Sequence, residues 1–285
     1  MKKILSVVLA ILMLAAVFTL ASCGKKKVEP KEALTAIVDA AKKSTELTSV
    51  KGSATAKATI DANVEGQAVK GSADLNADFT VDGLQSGDVG ADASLKLSLK
   101  LDNDQIKAII GEDPIEAKVV LQDGTAYVEL KTSSAFIGSP KFKVDVPVGQ
   151  ALGMAGSISD EDIDTSEAEK YIKSSTVSGS GKKTYTLVFD SSKIKDAIAG
   201  QAEVDIKSMD DPVVTVTVSK DGYIQAVKFQ IKNLNVDAGE EGYAKADVDF
   251  TVNLDSPGKD YTVNTNVNPS EYGDIEDVFG GLLGF

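Results

Sequence analysis

The chain has 285 residues with 30 lysines, 43 acidic residues, no arginine and no histidine, for a formal net charge of −13. Lacking guanidinium groups for phosphates or base edges, and carrying an acidic field, it is not expected to bind nucleic acid. Lacking imidazole, it has no Ser-His or Cys-His nucleophile pair and no histidine metal site, so a non-enzymatic protein without cofactor or metal is expected.

In chain order, Lys2 and Lys3 precede an apolar run from Ile4 to Leu20, followed by Leu20-Ala21-Ser22-Cys23. This is the layout of a secretory signal peptide over residues 1–22. The last four residues resemble the lipobox of bacterial lipoproteins, which implies that Cys23 is acylated with a palmitate-type lipid and becomes the mature N-terminus. The bland alternative is a secreted protein with an incidental cysteine. The mature chain would have 263 residues and, with 28 lysines against 43 acidic residues, a charge of −15.

Residues 23–30 read as the lipidated cysteine and a short basic tether. Gly24 to Pro30 can reach only about 23 Å. Lys25, Lys26 and Lys27 would each add about 1 kcal/mol against an anionic leaflet. The expected location is therefore extracytoplasmic, lipid-anchored to the cell membrane, with the body close to its face. Residues 31–285 read as a single domain with a C-terminal helical tail.

Leu34, Ile37, Val38 and Ala41 fall at i, i+3, i+4 and i+7 after Pro30, which predicts an amphipathic helix from Pro30 to Leu47. Period-two sequence follows. Ala54, Ala56, Ala58, Ile60, Ala62 and Val64 form one run, Ala73, Leu75, Ala77, Phe79 and Val81 a second, and Leu95, Leu97, Leu99 and Leu101 a third. Each alternates with polar residues, as long antiparallel strands with one wet face do.

Ile115–Leu121 and Ala126–Leu130 are joined through Asp123-Gly124, and Val214–Val218 and Val227–Ile231 through Asp221-Gly222, both strong hairpin signals. Tyr185–Phe189, Ala246–Leu254 and Tyr261–Val267 complete nine or ten strands. Helices are predicted at Ser166–Ser174, at Lys193–Gln201 with Ser191 or Ser192 as N-cap, and at Ile275–Leu283, the last expected to seal the barrel mouth.

Two binding motifs fail on inspection. Gly179-Ser180-Gly181-Lys182-Lys183 lacks the P-loop spacing and leads into a strand. Asp160-x-Asp162-x-Asp164 begins like a calcium loop but has Thr165 and Tyr171 where glycine and glutamate are needed.

A long sheet with one apolar face must curl on itself or be covered. The expected fold is α+β, mainly β: a strongly curved antiparallel sheet, an unclosed half-barrel, with helices in its concave face. The apolar face of the first strands is largely alanine (Ala54, Ala56, Ala58, Ala62, Ala73, Ala77, then Ala91 and Ala93), so either helices approach closely or an outside apolar molecule fills the gap.

The lipobox, the short tether, the helix Glu32-Ala33-Leu34-x-x-Ile37-Val38-x-Ala40-Ala41, the meander from Val50 and the Val214-to-Ile231 hairpin together resemble lipoproteins of the LolA/LolB and LppX/LprG type. The resemblance implies a half-barrel that shelters acyl chains. On that reading the ligand would meet Leu34, Ile37 and Val38 on the helix and Leu75, Phe79, Leu97, Leu99, Val216, Phe229, Val248 and Phe250 on the sheet. The protein would bind a lipid or other apolar ligand as carrier or sensor, with its membrane contact made through the N-terminal lipid and no protein partner indicated. The alternative is a non-enzymatic structural or protein-interaction module of the cell envelope.

Overall fold

A computed structural model describes residues 26–64, 67–103, 107, 111, 113–134, 138–147, 165–199, 205–237 and 242–275. The signal segment, Cys23 to Lys25, the Asp160-to-Asp164 run and the tail after Ile275 lie outside the described residues.

The period-two segments make one antiparallel meander. Strands β2 (Val50–Val64), β3 (Gln67–Asp82), β4 (Gly90–Leu101), β5 (Ile115–Gln122), β6 (Thr125–Lys131) and β7 (Lys141–Asp145) are neighbours in chain order. On the other side of β2 lie β13 (Gly242–Leu254) and then β12 (Ile224–Asp237), whose outer edge is shared by β11 (Val213–Val218) and β10 (Asp205–Ser208). A smaller ladder of β1 (Lys26–Lys27), β8 (Ile172–Ser178) and β9 (Lys183–Phe189) is brought alongside β11. The Phe189 N–H donates to the Pro212 carbonyl at 2.9 Å, and the Thr184 and Thr217 hydroxyls meet at 3.3 Å. The large sheet is curved and unclosed, ending in β14 (Gly273–Asp274), which pairs in parallel with β7. The expected α+β, mainly β half-barrel is the observed fold.

Both predicted hairpin turns form. Asp123 and Gly124 have φ of 53° and 76°, the left-handed pair that matches the twist of β5 and β6. Gly222 has φ of 88° between β11 and β12.

Helix α1 (Pro30–Ser44) starts with proline at its first turn and buries Ala33, Leu34 and Ala40. It lies on the apolar side of the sheet over β8, β9, β11 and β12. There it completes a core cluster with Ile172, Tyr185, Leu187, Phe189, Val214, Val216 and Phe229. Its end is fixed to the β11–β12 hairpin, because the Ile224 N–H donates to Ser44 Oγ at 2.9 Å while that hydroxyl donates to the Ala40 carbonyl at 2.7 Å.

Four expectations need correction. The helix predicted at Ser166–Ser174 is only α2 (Ser166–Lys170); from Ile172 the chain is β8, because the short polar run Ser174-Ser175-Thr176 is claimed by pairing with β9 on one side and β1 on the other. Helix α3 (Ser191–Ala199) forms, but its cap is Asp190, which accepts from the Ser192 N–H at 3.0 Å, while Asp211 accepts the Ser191 N–H. Among the described residues fourteen strands replace nine or ten: β8 is gained from the predicted helix, and β1, β7, β10 and β14 are only two to five residues long, too short for a strong periodic signal.

The fourth concerns Tyr261–Val267, which is not a strand. It is part of an extended strap held by side chains: Ser49 Oγ accepts the Tyr261 N–H at 2.7 Å and Asp82 Oδ2 accepts the Val263 N–H at 2.8 Å. A 3₁₀ turn at Pro269–Glu271 then leads to β14.

Candidate functional site: an apolar trough

The register of the ladders sets which side chains share a face. One row runs Val214, Phe229, Phe250, Ala56, Leu75, Leu97 and Ile115 across seven strands. The adjacent row runs Val216, Val227, Val252, Ala54, Ala77, Leu95, Ala117 and Leu130. A third joins Ile231, Val248, Ala58, Ala73 and Leu99. Every residue in these rows is apolar, so the concave face is one continuous hydrophobic surface.

Burial along the rows is uneven. Val214, Val216 and Phe229 are buried beneath α1, and the core cluster extends through Phe250 on β13. Beyond it Ala54, Ala56, Ala58, Leu75, Ala77, Leu95, Leu97 and Leu99 are only half-buried. The small residues are grouped on β2 and its partner positions on β3, where Ala54 faces Ala77 and Ala58 faces Ala73. Larger side chains border them, Phe250 and Val252 on β13 and Leu95, Leu97 and Leu99 on β4. The result is a trough with an alanine floor and leucine, valine and phenylalanine walls. From β13 to β6 it crosses six strands, about 24 Å at the usual inter-strand spacing.

The predicted ligand residues divide between two environments. Leu34, Val216 and Phe229 are buried in the core cluster, with Ile37 and Phe250 packed against it, and Val248 is buried beside it on β13. Val38 is half-buried on α1. Leu75, Phe79, Leu97 and Leu99 are half-buried on the same apolar face, beyond the core cluster. Phe79 lies over Gly52, where an added Cβ would meet the ring at 3.1 Å and the Asn253 carbonyl oxygen at 2.1 Å. Residues of the same face outside the predicted set include Leu95 and Val252 in the rows above, and Val119, Val128 and Phe142 next to them in register. For Val119 and Val128 the signal is the alternation of the Ile115–Leu130 hairpin, and for Phe142 the short alternation Lys141-Phe142-Lys143-Val144-Asp145.

Charge is kept to the opposite face. Lys70 pairs with Asp61 at 2.9 Å, and Glu116 with Lys96 at 3.1 Å and Lys131 at 3.4 Å. The Asp61 carboxylate raises the Lys70 ammonium, and hydrogen bonds from Lys96 and Lys131 hold Glu116 below the usual carboxylate range. These exposed pairs contribute little stability individually. They stand on the face opposite the apolar rows, whose described residues offer contact area. Among the described residues there is no cluster of three or more histidine, cysteine or acidic side chains fit to hold a metal, and no helix long and apolar enough to cross a membrane.

No protein-family model matches the sequence, and no curated protein does. Among solved structures, LprF from Mycobacterium bovis aligns over 85% of this chain and 98% of its own at 15% identity and a TM-score of 0.37. A β-barrel-like protein of the domain of unknown function DUF1849 from Brucella abortus aligns over 73% and 98% at 13% identity, TM-score 0.23. A DUF1329 family protein from Desulfovibrio piger aligns over 81% and 95% at 14% identity, TM-score 0.24.

Proposed function

We propose that the protein is an extracytoplasmic lipoprotein, anchored to the membrane through acylated Cys23, whose half-barrel binds a lipid or similar apolar molecule without chemical conversion. The observation that carries this reading is the continuation of the apolar face across β13 to β6 beyond the core cluster, where its side chains are half-buried and its floor is alanine. Burial of hydrocarbon is worth about 0.8 kcal/mol per methylene, so covering even half an acyl chain supplies several kcal/mol before binding costs. The short basic tether keeps the trough near a source of such chains. The ligand is held by contact area, which suits a carrier or sensor and selects for chain length and shape.

The test is extraction of the full chain in mild detergent followed by native mass spectrometry, in parallel with displacement of a fluorescent fatty-acid probe. Retained lipid together with saturable probe binding is the expected result. A chain that is ligand-free and does not take up the probe returns the protein to a structural role in the envelope. Replacement Cys23→Ser should move the protein from the membrane fraction to the soluble one while leaving probe binding intact.

A further inference from the structure

The other face of the sheet carries a second feature of opposite chemistry. The strap that follows β13 passes over the polar side of β5 and β6 and lines, with them, an open pocket of about 290 Å³. Its two borders are Tyr127 and Lys118 from the strands and Asn264 and Asn266 from the strap. Ligand pockets usually hold about 300–1,000 Å³, so this one suits a single ring or two and not a lipid.

The back of the pocket is a closed network. Tyr272 donates its hydroxyl to Glu129 Oε1 at 2.7 Å, and Lys141 bridges Glu129 at 2.9 Å and Glu271 at 3.0 Å. Lys141 also sits 5.5 Å from the centre of the Tyr272 ring. Tyr127 meets Tyr272 edge to face, with centroids 5.2 Å apart and planes at 73°, which fixes both rings. The wall is thereby rigid and its charges are mutually satisfied.

The border residues are not satisfied in this way. Among the described residues the hydroxyl of Tyr127 and the carboxamides of Asn264 and Asn266 have no partner. Each carboxamide offers two donors and one acceptor, and the phenol one of each. Lys118 lies opposite Glu129 in the β5–β6 register, and the two glutamates of the lining, Glu129 and Glu271, are both paired by Lys141, so no net positive charge faces the pocket. A ligand with many hydroxyls, an apolar ring face and no net charge matches this set. An anion does not, because the pocket offers no excess positive charge and the chain has no arginine.

We infer that the pocket formed by Tyr127, Lys118, Asn264 and Asn266 on the convex face is a binding site for a neutral saccharide unit, stacked on tyrosine and hydrogen-bonded by the strap asparagines. The site is independent of the trough, which lies on the opposite face of the same strands. A lipid-anchored protein with such a site would grip a glycan of the envelope on its outer surface while its concave surface handles hydrocarbon.

Saturation-transfer NMR on the full chain in phosphatidylcholine nanodiscs, with maltotetraose, cellotetraose and chitotetraose as probes, tests the assignment. Transfer to at least one saccharide is expected, weakened about tenfold by Tyr127→Ala and by Asn266→Ala, the latter lying on the exposed strap where folding is not at stake. Tyr127→Phe, which keeps the ring, should lose only part of the affinity. No transfer to any of the three, equal binding by wild type and both alanine variants, or protection of the site by inorganic phosphate in place of sugar each overturns it. Fatty-acid probe binding by the trough should be unchanged in these variants, so failure here and failure of the lipid reading are separable.

Discussion

The backbone N–H of Asn233 donates to Asp247 Oδ1 at 2.8 Å across the β12–β13 ladder, with Asn233 itself at φ 53°. This contact holds open a bulge: Ile231 pairs with Val248 but Leu234 pairs with Ala246, so three residues on β12 span two on β13. Ile231 and Leu234 would point to opposite faces of a regular strand. The extra residue puts both into the core, followed by Val236. The side chain of Asn233 adds a bond to Asp210 Oδ2 at 2.8 Å.

Replacement Asn233→Gly keeps the left-handed backbone and loses the Asp210 bond, at an expected cost of about 1 kcal/mol. Asn233→Val adds β-branched strain in the same region and should cost about 2–3 kcal/mol. Urea midpoints at constant m-value check the order of the two. Equal losses would mean the left-handed conformation is not what the site requires.

The same bulge shows where sequence reading reaches its limit. Period two was enough to identify β2 to β6 and β11 to β13, and Asp-Gly was enough to fix two hairpins, because those signals are local. Asn233 interrupts the alternation after Ile231, so the inward residues Leu234 and Val236 fall out of phase and are not legible as core. The Ser174-Ser175-Thr176 segment fails differently, since a short polar strand is chosen by its two partners and not by its own pattern.

The strap was missed for a third reason. Tyr261, Val263, Thr265 and Val267 alternate like a strand, yet their backbone is held by Ser49 and Asp82 side chains. A sign was present in Val120 and Tyr127, bulky residues on the wet phase of β5 and β6, which the strap covers. For the trough, the lining residues were legible strand by strand. Which of them α1 would bury was not, because that depends on how β8 and β9 dock against β11.

Ser44 joins the helix to the sheet through its bond from Ile224, and the site is partly buried. Ser44→Ala should cost about 1–2 kcal/mol, since the Ile224 N–H loses its acceptor. Hydrogen exchange should quicken at Ile224 and in the last turn of α1, with little change in β2 to β6. Uniform acceleration across the sheet would show instead that α1 and the sheet unfold as one unit.

Strap attachment should depend on acidity in a defined direction. The Tyr272 hydroxyl and Lys141 hold Glu129 below its ordinary value near 4.5, and Lys141 does the same for Glu271. A carboxylate with a depressed folded-state pKa contributes stability that is present above the unfolded value and lost as pH falls through the folded one. The strap should therefore stay attached from neutral pH to about 4.5 and loosen below it. At the alkaline end the Tyr272 hydroxyl is pushed up to about 12 by burial and by the Glu129 carboxylate, so its contribution is lost as pH rises from 10 toward 12. Near-UV circular dichroism of the tyrosines reports both limbs, and Glu129→Gln should remove most of the acid limb. A signal flat from neutral pH to well below 4.5 in the wild type would contradict the assignment.

Ala56 distinguishes a trough from a packed core. It is half-buried between Phe250 on β13 and Leu75 on β3, in the middle of the row that runs from the buried cluster to β5. Inserting a large side chain into a filled interior forces neighbours off their rotamers and costs about 1–3 kcal/mol. In an open trough the same side chain enters unoccupied space and covers its neighbours, with no strain and a small gain in buried apolar area. Ala56→Leu and Ala58→Leu should accordingly leave the thermal midpoint unchanged or slightly raised while weakening the fatty-acid probe about tenfold, because the new side chains occupy the ligand's position. Ala62→Leu, at a buried position on the same strand, is the control and should destabilise. If Ala56→Leu lowers the midpoint as much as Ala62→Leu and leaves probe binding intact, the floor is already packed and the ligand lies elsewhere.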